Sequence, residues 1–234
     1  MGDILGYFYA YGQYWLFVLP GIIFALIASA KVKSTFSRYS AVSNQRGLTG
    51  RQAAEAVLRS AGVYDVIIER VAGSMTDHYD PRTNVIRLSE TVYDSTSVAA
   101  VGVAAHEAGH AVQYATNYAP IKIRAKIVPL VNFGSGISVP LIFIGSLLAS
   151  YTLIYIGIAL FASVVLFSLI TLPVEFNASR RAINSINENL LLDENEQTGV
   201  KKVLTAAAMT YVAAFLQNLL ILLYYISRTN RRSR

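Results

Sequence analysis

Residues 151–174, YTLIYIGIALFASVVLFSLITLPV, form a run without a single charged side chain. The run exceeds the roughly 20 residues that a helix needs to cross a hydrocarbon core about 30 Å thick. Three further runs share this character and lie at 13–30, 127–149 and 203–226. The sequence therefore predicts a mainly α, polytopic membrane protein with about four transmembrane helices, in which residues 127–174 form a hairpin.

The composition of the whole chain also favours contact with lipid. Of the 234 residues, 54% are hydrophobic and 15% are charged, whereas soluble domains carry about 25% charged residues. No cysteine is present, which excludes a disulfide framework and metal sites built from thiolates. Basic residues follow the first apolar run instead of preceding it, so we interpret residues 1–30 as a retained membrane anchor and not as a cleaved signal peptide.

The distribution of lysine and arginine predicts the orientation in the membrane. Four spans would place ten basic residues on one side: Lys31, Lys33, Arg38, Lys122, Arg124, Lys126, Arg180, Arg181, Lys201 and Lys202. We therefore expect an outside N-terminus and polar segments on the cytoplasmic face of the inner (cytoplasmic) cell membrane. The tail 228–234 carries four arginines and would lie outside, but the ten residues outnumber it. We interpret the net charge of +6 as a membrane-surface signature and expect no nucleic-acid partner, because no aromatic-basic module accompanies it.

The polar segment 31–126 has the patterns of a small α+β domain. Thr49 and Gln52 have the spacing of a capping box, and they open an amphipathic helix that we expect to stop at Gly62. Further along we predict a strand at 63–71, turns at 73–84, a short edge strand at 84–89, and a helix over 99–115 capped by Ser95 or Ser97. A polar helical segment at 175–202 and a final transmembrane helix with a basic tail at 203–234 complete the predicted organisation.

The stretch AAHEAGHAVQ, residues 104–113, holds two of the three histidines in the chain. On an α-helix His106 and His110 project from one face and can present two imidazole nitrogens to one cation. Glu107 is turned away from direct ligation but can reach a water bound to zinc, accept its proton and later give it to a leaving amine. Gly109 costs a helix about 1 kcal/mol relative to alanine, which indicates a packing requirement at that position.

The competing interpretation is that the two histidines lie on a helix without binding a metal. Multiplying the chain's own frequencies of His, Glu and His gives a chance match on the order of one in a thousand. A chain so poor in histidine would also have no reason to place two of them one turn apart. We therefore expect one Zn²⁺ per chain at this helix.

A catalytic zinc needs a third protein ligand and an open position. No histidine follows His110 at the usual spacing, so a carboxylate or His78 must supply that ligand. Glu175 is the main candidate, because it directly follows the third apolar run and begins an apparent polar helix. The hairpin 127–174 returns the chain to the face from which it entered the membrane. In the alternative interpretation Glu175 is an interfacial charge that caps a helix, although a carboxylate at membrane depth usually has a function.

Three motifs together resemble one known family. HEAGHAVQ (106–113), TDHYDPRTNVIRLS (76–89) and LPVEFNASRRA (172–182) are similar to the YugP-type neutral zinc metallopeptidases of bacterial membranes. The resemblance covers nearly the whole chain and implies a zincin-like domain with His106, His110 and Glu175 as ligands and Glu107 as base. A looser likeness connects the pattern to the HtpX-type and CAAX prenyl proteases. In that wider group an aspartate often follows the third ligand by four positions, where this chain has Ser179, so the role of such an aspartate is not carried over.

Four further residues are candidates for contacting the substrate or supporting the ligands: His78, Asp80, Asn177 and Arg180. The turn around His78 and Asp80 is predicted to lie near the zinc, with the strand 84–89 pairing with an extended substrate backbone. In the alternative interpretation Asp80 only forms a turn and His78 is only exposed. Arg180, Asn177 or Tyr114 could stabilise an oxyanion, and the sequence does not choose between them.

The sequence therefore predicts an integral membrane zinc endopeptidase that hydrolyses peptide bonds near the membrane surface through a zinc-bound water activated by Glu107. Its partners would be the lipid bilayer and a protein or peptide substrate, and the pattern is compatible with a homo-oligomer or a regulatory membrane partner. The alternative is a non-catalytic membrane scaffold or adaptor with a structural or vestigial zinc site. The intact Glu107 argues against it, because a purely structural zinc needs no base.

Overall fold

The computed structural model describes the backbone of residues 2–232 and the side chains of residue 12 and of residues 14–229. Met1 and the last two residues of the arginine-rich tail, Ser233 and Arg234, lie outside the described residues. Helices account for 76% of the structure, which confirms the mainly α prediction. The described elements are α1 (Gly2–Ser40), α2 (Gly50–Ser60), β1 (Ile67–Val71), β2 (His78–Asp80), β3 (Val85–Ser89), α3 (Glu90–Tyr93), α4 (Val98–Ala115), α5 (Ala119–Leu147), α6 (Tyr151–Glu188) and α7 (Glu194–Arg232).

Four of these helices are long and apolar enough to cross a membrane. They cover Tyr14–Ser40, Ala119–Leu147, Tyr151–Glu188 and Glu194–Thr229, so the prediction of about four such helices is confirmed. A tight turn at 148–150 separates α5 from α6, as the hairpin prediction requires. Glu175 does not begin a separate polar helix, however. The helix continues through Pro173 to Glu188, because no capping residue or stop separates the apolar run from the polar segment.

The chain divides into two compact units. Unit 1 comprises residues 1–28, 123–171 and 210–234, and unit 2 comprises residues 29–122 and 172–209. Within unit 1, helices approach closely at small residues. A Cβ added at Gly157 of α6 would lie 2.8 Å from the carbonyl oxygen of Ser138 of α5.

Unit 2 contains the short helices, the sheet and a core rich in alanine. Thr49 and Gln52 form the predicted capping box at the start of α2, and Gly62, with φ of +71°, ends it. The side chain of Ser97 accepts from the backbone N–H of Ala100 and caps α4. Six alanines of α4 are completely or almost completely buried: Ala99, Ala100, Ala104, Ala105, Ala108 and Ala111. Short side chains of this kind let neighbouring helices come near one another.

The three-stranded sheet of unit 2 differs from the prediction at two points. Its order is β1-β3-β2, with β3 parallel to β1 and antiparallel to β2. The strand expected at the edge, 84–89, is therefore central, because part of the turn-rich segment 73–84 forms β2 and pairs with its free side. Both faces of β3 are covered. Ile86 and Leu88 are buried on one face, and Val85 and Ser89 are buried on the other. The predicted strand 63–71 also begins later, at Ile67.

Candidate metal centre

The histidines lie side by side on α4. His106 and His110 are one turn apart, and their ring centroids are 4.7 Å from each other. Both side chains are mostly buried, with 15% and 12% of their surface exposed. The opposite side of α4 packs into the core of unit 2 through its alanines. The helix thus holds two imidazoles in fixed positions at the border of the core.

Helix α6 supplies the carboxylate, and a glycine allows its approach. A Cβ added at Gly109 would lie 2.6 Å from the carbonyl oxygen of Ala178, so no larger residue fits there without a shift. This contact explains the packing requirement expected at Gly109. It brings α4 against the turn of α6 that follows Glu175. The Glu175 side chain is 3% exposed.

One carboxylate oxygen faces both histidines. Oε2 of Glu175 lies 3.3 Å from Nε2 of His106 and 3.6 Å from Nε2 of His110. Each residue offers one ligand atom, and these three atoms lie within 4.8 Å of one another. Among the residues that the structure describes, this is the group of His, Asp and Glu side chains that could hold a metal ion. His78, the alternative third ligand, is not part of it.

The spacing of these atoms fits zinc. Ligands bonded at about 2.0–2.1 Å in a tetrahedron are about 3.3 Å from each other, which is close to the distances from Oε2 of Glu175 to the two histidine nitrogens. Two imidazole nitrogens and one carboxylate oxygen are also a donor set that zinc accepts in catalytic sites. The remaining ring nitrogens have other partners, so both histidines direct Nε2 toward the carboxylate. The residues present therefore fit the metal that their pattern predicted.

The same arrangement attracts a proton. Burial lowers the pKa of His110, but the hydrogen bond to Glu175 and the negative charges of Glu107 and Glu175 outweigh burial, and the net pKa is raised. Imidazoles grouped around a buried carboxylate therefore form a site for a positive charge, which a proton or a metal cation can supply. Glu107 contributes to this field and is half-buried on α4.

Three polar residues lie around the candidate ligands His106, His110 and Glu175. Gln113 lies beside His110, with Oε1 3.0 Å from Nδ1 of the ring. The hydroxyl of Ser179 lies 3.1 Å from Nδ1 of His106. Asn177 accepts hydrogen bonds from Gln113 at 2.9 Å and from Nε of Arg181 at 2.8 Å. The sequence interpretation had named Asn177 and missed the contributions of Gln113 and Arg181, although Gln113 follows His110 at the i+3 spacing of one helix face.

Asn177 and Arg180 have different surroundings. The Asn177 side-chain oxygen accepts from two donors within the protein, while Arg180 is exposed. The neighbouring Arg181, and not Arg180, reaches Asn177, and its guanidinium lies 6.0 Å from the ring centroid of Tyr118.

His78 and Asp80 lie on β2, an edge strand of the sheet. His78 is exposed, and its Nδ1 lies 2.8 Å from the carbonyl oxygen of Thr76. Asp80 accepts from the backbone N–H of Arg82 and from the hydroxyl of Thr83. The Arg82 N–H is the main reason that the pKa of Asp80 is lowered. Asp80 therefore does form a turn. Between these residues, the ring of Tyr79 lies 5.6 Å from that of Tyr114 and connects β2 to α4.

Comparison with known proteins agrees with this geometry. The profile of a family described as "Putative neutral zinc metallopeptidase" matches residues 14–230. The chain belongs to this metallopeptidase family. It is also 51% identical over 200 residues to the "Putative membrane protease YugP" of Bacillus subtilis (strain 168), across 85% of this chain and 88% of that protein. No solved structure matches the chain.

The family assignment covers every element of the site. The matched range 14–230 includes α4 with its two histidines, the full length of α6 with Glu175, and the sheet. The family is one of zinc peptidases, and the three convergent side chains are suited to that metal. The relative is a membrane protease by its name, which agrees with the four long apolar helices.

Proposed function

We propose that this protein is an integral membrane zinc endopeptidase that hydrolyses peptide bonds near the membrane surface. The observation that carries the proposal is the convergence of Nε2 of His106, Nε2 of His110 and Oε2 of Glu175. A glutamate adjacent to the first of these histidines is the additional feature that hydrolysis requires. The four apolar helices and the membrane protease relative support the location.

In this proposal His106, His110 and Glu175 hold one zinc ion per chain. A zinc ion held by these residues would supply Lewis-acid chemistry, lowering the pKa of a water toward 7 and polarising the carbonyl group of a substrate. Glu107 accepts the proton of the attacking water and transfers it to the leaving amine. Its half-buried position beside His106 keeps the carboxylate near the ligands while its place on the helix turns it away from ligation.

The proposed substrate is an extended peptide that lies beside β2. An edge strand leaves backbone N–H and C=O groups for pairing with another strand. Because Tyr79 and Tyr114 connect this strand to the histidine helix, a peptide paired with β2 would run beside the helix that carries Glu107. His78 and Asp80 then belong to the strand that borders the substrate. This arrangement assigns to β2 the role that the sequence had suggested for residues 84–89.

We further propose a cytoplasmic active site in the cell membrane. Residues 31–126 would form a zincin-like domain, with 1–30 as anchor, 127–174 as hairpin, 175–202 as the segment with the third ligand and 203–234 as the last span and tail. Because the chain has no cysteine, single substitutions can report this topology. Cysteine introduced at Tyr64, which is 80% exposed, should react with an impermeant maleimide in inverted membranes and not in intact cells. The opposite labelling pattern would place the domain outside.

The catalytic proposal is tested on the full-length protein in detergent. The wild type should contain about one zinc per chain and cleave an unfolded protein such as casein. Glu107→Gln should keep zinc while its turnover falls by at least about 10²-fold, the usual loss when a general base is removed. His106→Ala should lose stoichiometric zinc. The exposed Glu90 provides a control, since Glu90→Gln should retain both properties.

Three outcomes would contradict the proposal. Full activity of Glu107→Gln would exclude the mechanism, and stoichiometric zinc in His106→Ala would exclude the site. A wild type that binds zinc but cleaves no peptide under any condition would favour the scaffold or adaptor alternative. In that case Glu107→Gln should leave partner binding unchanged.

A further inference from the structure

Gln113 is a completely buried polar residue three positions after His110, and both ends of its amide are engaged. Nε2 lies 2.8 Å from the carbonyl oxygen of Val174, the residue before Glu175, and 2.9 Å from Oδ1 of Asn177. Oε1 lies 3.0 Å from Nδ1 of His110. One side chain thus contacts a histidine of α4 and the turn of α6 that carries the carboxylate.

The contacts on α6 fix which way the amide points. A backbone carbonyl can only accept a hydrogen bond, so the group facing Val174 must be the NH₂ of Gln113. The second contact gives the same answer independently. Arg181 can only donate, and because it donates to Oδ1 of Asn177 at 2.8 Å, that atom is an acceptor for Gln113 as well. The oxygen of the Gln113 amide must therefore face His110.

This orientation determines the tautomer of His110. An amide oxygen has no proton to donate, so the hydrogen bond with Nδ1 exists only if Nδ1 carries the hydrogen. In the neutral ring Nε2 then has a free lone pair. That atom is the one directed toward Oε2 of Glu175. The hydrogen bonds that link Arg181, Asn177 and Gln113 thus reach Nδ1 of His110 and leave its Nε2 free to bind a cation.

We infer that Gln113 is a positioning residue that holds His110 as the Nδ1–H tautomer and ties it to the segment of α6 that carries Glu175. The inference rests on the proposed zinc site and adds a residue that acts through His110 without touching the metal. Partners of ligating histidines fix the ring and raise its basicity, and their removal typically lowers metal affinity about 10–100-fold.

The other histidine has a weaker support. The hydroxyl of Ser179 can donate or accept at Nδ1 of His106, and it can rotate between the two roles. It therefore does not choose the tautomer by itself. The site has one histidine with a fixed proton position and one whose proton position depends on the metal.

Two substitutions separate tautomer control from simple helix packing. Gln113→Met removes the acceptor for His110 and the donors to α6 at nearly constant volume. Gln113→Glu keeps an acceptor for Nδ1–H but loses the hydrogen bonds to the carbonyl of Val174 and to Oδ1 of Asn177. Gln197 offers a matched control, because its Nε2 also donates to a backbone carbonyl, that of Leu192, at 2.9 Å. Gln197→Met removes a bond of the same kind far from the histidines in sequence.

The dissociation constant for zinc is measured by competition with a chelator on full-length protein in detergent. We expect Gln113→Met to bind zinc about 10–100-fold more weakly than the wild type, with Gln113→Glu much closer to the wild type and Gln197→Met unchanged. If Gln113→Glu is as weak as Gln113→Met, the residue only joins the two helices and the inference is wrong. It is equally wrong if Gln113→Met keeps wild-type affinity.

A second measurement uses the wild-type residue at position 113 and so does not depend on whether a Gln113 variant folds. The chain has three histidines, so ¹⁵N-labelled histidine gives few signals, and His78→Gln identifies one of them. In the zinc-loaded wild type His110 should carry its proton on Nδ1, whereas ligation through Nδ1 would overturn the inference. A wild type that binds no zinc at all would instead contradict the proposed function, so the two failures can be distinguished.

Discussion

The two compact units of the chain contain the same types of large apolar residue, but these residues are buried to different extents. In unit 1 many of these side chains are exposed, for example Leu16 at 75%, Leu147 at 69% and Phe143 at 64%. In unit 2 Ile86, Leu88 and Val92 are completely buried. Unit 2 therefore has a buried apolar core, while unit 1 leaves much of its apolar surface exposed, as expected for helices that contact lipid. The two units are thus distinguished by how far their apolar side chains are buried and not by the types of apolar residue that they contain.

The units resemble each other in how their helices approach. Gly157 in unit 1 and Gly109 in unit 2 both face a backbone carbonyl oxygen at a distance that excludes a larger residue. The consequences differ, because of these two contacts only the one at Gly109 brings together side chains that could hold a metal ion. Matched substitutions in the two units can therefore test which effects arise from contact with lipid and which arise from changes at the site.

The largest difference is expected for an introduced charge. Val139 is 45% exposed and lies near the centre of the apolar run 127–149. Val139→Lys should cost about 2.5–3.5 kcal/mol of insertion free energy, seen as a smaller fraction of protein retained in membranes after alkaline extraction. The matched change in unit 2, Tyr64→Lys, should stay within about 0.5 kcal/mol in stability. Equal losses would mean that the surface of unit 1 is not in contact with lipid.

A smaller effect is expected when the glycine contacts are filled. Gly109→Ala should destabilise unit 2 by about 1–3 kcal/mol, because its Cβ meets the Ala178 carbonyl and helix α6 must shift. Zinc affinity should fall with it, since the shift moves Glu175 relative to the histidines. Gly136 of unit 1 has no atom within 4 Å of an added Cβ, so Gly136→Ala should lower neither. Thermal unfolding and chelator competition measure both properties, and unchanged zinc affinity in Gly109→Ala would contradict the role given to this contact.

Local patterns in the sequence were sufficient to predict the long apolar helices and the two histidines of the site. Length and hydropathy identify a spanning helix without knowledge of its neighbours, and all four were found. The capping box at Thr49 and the pairing of His106 with His110 on one face also depend on residues only three or four positions apart. Each of these features is determined by short-range geometry along a helix.

The remaining features depend on contacts between distant residues. Strand β2 has three residues within a segment dense in turn formers, and it exists because it pairs with β3. No local pattern showed that pairing, which is why residues 84–89 were wrongly expected at the edge. Gln113 illustrates the same limit in the site, since its role requires the carbonyl of Val174, 61 positions away. Glu175 was nominated because the hairpin topology could be predicted from the apolar runs and because the family resemblance implied it as a ligand.

The smallest effect concerns the strand beside the site and its dependence on pH. Burial, and then the nearby Tyr114, Asp65 and Asp80, raise the pKa of Tyr79 from 10.0 to about 12. Between pH 10 and 12 the unfolded chain releases this proton while the folded protein retains it, so unfolding becomes more favourable as the pH rises. Tyr79→Phe cannot titrate. It should be less stable than the wild type at pH 9, because it lacks the hydrogen bond from the Tyr79 hydroxyl to Asn84.

This stability difference between wild type and Tyr79→Phe should then shrink as the pH approaches 12. Denaturant unfolding of both proteins at several pH values measures it. A difference that stays constant would show that the hydroxyl of Tyr79 is accessible to water, and that β2 does not pack on α4 as closely as the 5.6 Å ring contact with Tyr114 requires. Because the proposed substrate lies along β2, the same result would weaken the position assigned to the peptide while leaving the ligand residues untouched.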